Sequence, residues 1–81
     1  MTRNQIAEVL GDVLFLDPLY DDAIIGIAEN FTESVVAYNT SKVLEILVKN
    51  GIEDMEGAAE FFEYNILGTY KEGRMPIFVS L

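Results

Sequence analysis

The chain has no histidine, no cysteine and no tryptophan, and only five basic residues. Without histidine, no side chain titrates near neutral pH in its ordinary state, and a Ser or Thr nucleophile lacks its usual base. Ser34, Ser41 and Ser80 fall at cap, loop or terminal positions. The adjacent pair Ser41 and Lys42 would diverge on a helix, because sequence neighbours do not share a helical face. Without cysteine there is no disulfide, and without either residue no ordinary zinc site. No apolar run approaches the ~20 residues of a membrane span. The opening MTRNQIAEVLGD lacks the apolar core of a secretion signal. A cytoplasmic location is therefore expected, and the patterns Asn30-Phe31-Thr32 and Asn39-Thr40-Ser41 are not expected to carry glycans.

Base is scarce and acid abundant. Arg3, Lys42, Lys49, Lys71 and Arg74 are scattered among fourteen Asp and Glu, giving a formal charge of −9. Such a field repels phosphate, which argues against direct nucleic-acid binding and against anionic membrane surfaces. It favours a protein partner with a basic surface. Disorder does not follow from the charge, because 51% of the 81 residues are hydrophobic. Residues 1–81 are expected to form a single compact domain with a small core, and a chain of this size needs dense packing or a second subunit.

Helix starts are well marked. Thr2 can cap a helix over about residues 3–10, with Ile6, Val9 and Leu10 on one side. The run Val13–Leu16 is too short for periodicity to decide between strand and helix. Asp17-Pro18 is a helix-start pair, and Leu19, Tyr20, Ala23, Ile24, Ile27, Ala28 and Phe31 follow at helical spacing, so a helix over about 18–30 is expected. In that helix Gly26 would cost about 1 kcal/mol against alanine, unless another element packs closely there. Val35–Tyr38 is rich in strand formers. Asn39, Thr40 or Ser41 then caps a largely buried helix over about 41–50, with Glu45 and Lys49 paired one turn apart and Asn50-Gly51 as a left-handed cap. Asp54 opens a helix over about 55–67 with a core stripe of Met55, Ala58, Ala59, Phe62 and Ile66, ended by Gly68. A turn at 71–74 leads to a strand over 76–79, expected to pair with Val35–Tyr38. The expected fold is α+β: a small two- or three-stranded sheet packed with three or four helices.

Most acids have a local explanation. Asp17, Asp21 and Asp22 sit where a helix start favours negative charge. Together with Asp12 they match no calcium-binding loop spacing. No metal site, cofactor or catalytic residue is assigned. The best-organised acids are Glu53, Glu56, Glu60 and Glu63, whose steps of three, four and three would line them along one side of the last helix. This is either a solvated face or a negative ridge for a basic protein surface, in its strongest form an imitation of a nucleic-acid backbone. Phe61 and Tyr64 flank it and, with Leu67 and Tyr70, form a second apolar face. That face either packs under the final strand or meets a partner, a second copy included.

The segments LDPLYDDAIIGIAENF, SVVAYNTSKVLEILVKNGI and EGAAEFFEYNILGTYKEGRMPIFV resemble a family of short bacteriophage-encoded proteins of unknown function. The likeness covers about residues 16–79 and rests on the order of Asp22–Gly26, Val35–Tyr38, Glu60–Asn65 and the closing Pro76–Val79. It implies a phage or prophage origin and an accessory role in the cytoplasm of the infected host. It carries no catalytic residues. The resulting expectation is a non-enzymatic protein that binds, and in the concrete form inhibits, a host defence or nucleic-acid-handling protein through Glu53, Glu56, Glu60, Phe61, Glu63 and Tyr64. The alternatives are a homodimeric structural module and a small carboxylate-based enzyme or ligand-binding protein.

Overall fold

A computed structural model describes residues 1–29, 32–67 and 74–81. Along the chain come helix α1 (Arg3–Leu10), a 3-10 helix (Pro18–Ala23), strands β1 (Ile24–Glu29) and β2 (Ser34–Asn39), helices α2 (Thr40–Lys49) and α3 (Met55–Phe61), a π-helical segment (Phe62–Leu67) and strand β3 (Ile77–Val79). β2 is central: β1 pairs with it antiparallel and β3 parallel. The fold is α+β, with three strands and the helices gathered around them. The expected pairing of the last strand is present, with Ala37 opposite Ile77 and Tyr38 opposite Phe78.

The expected helix over 18–30 is not formed. Only Pro18–Ala23 turns helically, and Ile24–Glu29 is a strand. The start was legible: the Asp17 carboxylate accepts from the Leu19 N–H at 2.9 Å, and Pro18 takes the first position. The continuation is decided by pairing. Ile24, Ile25 and Ile27 are β-branched, stiff at χ1 and suited to a pleated surface. Gly26 stands at φ 154°, in the region that favours glycine, where the register slips between Ile24 and Gly26. Such a bulge places one extra residue, Ile25, on the β1 side. Val13–Leu16 is neither strand nor helix.

Strand alternation divides the sheet. Val36 and Tyr38 face the main core with Ile6, Leu16, Tyr20, Val43, Leu47, Phe62 and Ile66. Tyr38 is fully buried, and its phenol oxygen accepts from the Leu16 N–H at 2.9 Å, which ties the irregular 13–16 stretch to the sheet. Phe78 reaches the same core from β3, stacking on Tyr38 and packing edge to face with Phe62.

The caps explain where the helices begin and end. At α1, Thr2 and Gln5 form a reciprocal capping box. Asn39 caps α2 through a contact with the Lys42 N–H, and Asp54 caps α3 by accepting from the Gly57 N–H at 2.8 Å. The α2 terminus is a Schellman motif: Gly51 N–H reaches the Val48 carbonyl at 3.2 Å and Ile52 N–H the Leu47 carbonyl at 3.1 Å. The positive φ falls on Gly51 alone, and Asn50 keeps a negative φ. Glu45 reaches Lys42, at 3.7 Å, in place of the expected Lys49.

The last helix changes its winding at Phe62. From Ala58, the i+4 and i+8 positions of an apolar helical face are Phe62 and Ile66, as the expected stripe has them, and Asn65 falls at i+7 beside them. The wider π turn advances less per residue and so aligns Ile66 more closely with Ala58 and Phe62. Ala58, Phe62 and Ile66 are accordingly buried, while Asn65 is exposed. Met55 and Ala59, expected in the stripe, are also exposed. Gly57 packs tightly, since a Cβ there would lie 3.3 Å from both Asp54 Oδ1 and Ile52 Cγ2. The expected stop at Gly68, the Tyr70 position and residues 71–73 lie outside the described residues.

Two arginines lock the periphery. Arg3 forks onto Asp21 through Nε and Nη2 and adds the Leu16 carbonyl, with its guanidinium 4.6 Å above the Phe15 ring centre. The hydrogen bond that Arg3 donates to Asp21 raises its pKa above its already high ordinary value. Arg74 donates to the carbonyls of Leu10, Asp12 and Ser34. Its position next to residues 71–73 gave no sign of that role.

Candidate protein-interaction face

The candidate face begins where α2 ends. The Schellman turn directs the chain out through Ile52, which is half-buried, to Glu53, which is exposed. Glu53 therefore precedes α3 and lies in the connection, not on the helix. Asp54 is spent on the cap. Glu56 occupies the first turn of α3, where the helix dipole favours a carboxylate. Glu60 follows one turn later on the same side, and both are exposed.

Glu63 and Tyr64 lie beyond the change of winding. Each π residue advances less around the axis than the ~100° of an α residue, so Glu63 is rotated further from Glu60 than the expected three-residue step. The four-glutamate ridge is thus a Glu56–Glu60 pair on α3, with Glu53 before it and Glu63 displaced around the axis. The same rotation carries Tyr64 away from the core stripe, and it is 79% exposed.

Phe61, Tyr64 and Leu67 are all exposed. Packing under the last strand, one reading of this second apolar face, falls instead to Phe62: its ring meets Phe78 edge-on at 4.9 Å and 86°. An apolar face flanked by carboxylates is left at the surface. No base occurs from Asn50 to Leu67, against Glu53, Asp54, Glu56, Glu60 and Glu63. Elsewhere Arg3 and Arg74 are engaged within the fold, and the exposed Lys42–Glu45 contact is of a kind worth little.

Among the described residues, no three acids are grouped to hold a metal ion. Asp17 serves its cap and Asp21 its arginine. No helix of the described residues is long and apolar enough to cross a membrane. Comparison with protein-family models, with curated proteins and with solved structures finds no match.

Proposed function

We propose that this chain is an accessory protein of phage origin, without catalytic activity of its own, that binds a basic surface on a host protein in the infected cell's cytoplasm. A defence or nucleic-acid-handling protein is the concrete target class, and inhibition is the consequence. The observation that carries the reading is the joint exposure of Phe61 and Tyr64 beside Glu56, Glu60 and Glu63, on an element with no base. Aromatic anchors supply the buried centre of a contact, and the carboxylates steer encounter and select sign. Glu53 belongs to the same contact at its edge.

The test is capture of host proteins from infected-cell lysate by tagged wild type and by a Glu56→Lys, Glu60→Lys variant, across a salt titration. A specific basic protein should be retained at low salt, released at high salt, and lost from the variant. Equal capture by the variant removes this face from the proposal. Tyr64→Ala separates the aromatic contribution, with a loss expected at every salt concentration.

A further inference from the structure

A cleft of about 340 Å³ lies between α2 and the 3-10 helix. This is at the small end of the ~300–1,000 Å³ range of small-molecule sites. Its apolar surface comes from Ile46, almost fully buried on α2, and Leu19, which leaves 47% of its surface exposed on the 3-10 helix. Lys42 and Glu45 line it as a mutual ion pair, 3.7 Å apart. Lys49 and Asp22 line it too, and neither has an ion-pair partner among the described residues.

The charges matter because bases are rare here. With Arg3 and Arg74 taken up by the fold, Lys49 is an exposed cation with no ion-pair partner among the described residues, and it lines the same cleft as Asp22, a carboxylate likewise without one among them. Beside Lys49, the Asn50 side-chain amide gives one N–H to the Ile46 carbonyl at 2.7 Å and keeps a second. An ammonium and a carboxylate lining one cleft with Leu19 and Ile46 offer partners to the two charged ends of a small zwitterion and to an apolar side chain.

We propose that this cleft binds a free α-amino acid with an apolar side chain. The ligand carboxylate meets Lys49 and the Asn50 amide, its ammonium meets Asp22, and its side chain covers Leu19 and Ile46. The lining is neutral overall, which suits a ligand without net charge and disfavours a simple anion or cation. The site is separate from the α3 face and stands or falls independently of it.

The test is titration of the ¹⁵N-labelled full chain with L-leucine, 4-methylpentanoate and 3-methylbutylamine, the last two lacking the ammonium and the carboxylate respectively. L-leucine should give saturable amide shifts at Leu19, Ile46 and Asn50, and each half-ligand should bind roughly ten-fold more weakly or worse, as expected for loss of a charged hydrogen bond. Lys49→Met and Asp22→Asn should each weaken L-leucine by a similar factor. Both residues are exposed, so unchanged spectra away from the cleft confirm that the variants fold. Absent shifts with L-leucine overturn the proposal, as do equal binding of either half-ligand or undiminished binding by both variants.

Discussion

Phe62 and Phe78 pack edge to face at a centroid separation of 4.9 Å, joining the π segment to the parallel edge strand β3. Its neighbour Phe61, identical in chemistry, stands at the surface. The pair Phe61-Phe62 therefore divides into one residue buried in the core and one that stays exposed.

That division predicts opposite mutational outcomes. Phe62→Ala should cost about 3–5 kcal/mol, since it removes a buried ring and leaves a cavity. Phe61→Ala should change stability by about 1 kcal/mol or less, in line with surface positions. Urea unfolding of both variants checks this, and equal losses would mean that the two rings share the core.

The π winding should respond to an exchange of neighbours. It brings Ile66 inward and leaves Asn65 outside. Exchanging them, as Asn65→Ile with Ile66→Asn, lets an ordinary α-helix bury the apolar side chain at i+7 from Ala58 and i+3 from Phe62. The exchanged protein should be α-helical through residue 66, read from hydrogen-bond couplings that report i→i−4 pairing. Retained i→i−5 pairing would place the cause of the winding elsewhere.

Burial raises the Tyr20 pKa above its ordinary value, with a smaller contribution from the Asp17 carboxylate. A phenol whose folded pKa is raised contributes stability that is complete below the unfolded value of about 10 and is lost as pH rises through the folded value. Stability should therefore fall above about pH 10. Tyr20→Phe should make that fall shallower while leaving the neutral range little changed. Denaturant midpoints across pH 7–11 for both proteins test it, and identical alkaline slopes would exclude Tyr20 as a contributor.

The candidate face was legible as composition and only partly as geometry. Glu56 and Glu60 sit where helical spacing places them, because both precede the change of winding. Glu53 and Glu63 do not continue one line, because the cap at Asp54 starts the helix after the first and the π turn rotates the second. The cleft had no legible trace, since Asp22 and Lys49 come to line it only through the packing of elements distant in sequence.

By itself, the sequence determined the helix starts at Thr2, Asp17 and Asp54 and the stop at Gly51, and it narrowed the α2 cap to Asn39, Thr40 or Ser41. It also determined the two strands around Val35–Tyr38 and Pro76–Val79. These depend on local hydrogen bonds and backbone preferences that act within a few residues. Tertiary structure alone decided that Ile24–Glu29 is a strand, because β2 pairing overrides a helical spacing of apolar residues. It also decided that Arg3 and Arg74 are structural, because their acceptors come from separate parts of the chain. It also left Met55 and Ala59 of the expected stripe at the surface while burying Ala58, Phe62 and Ile66, because which apolar residues of a helix meet the core depends on how the helix is packed.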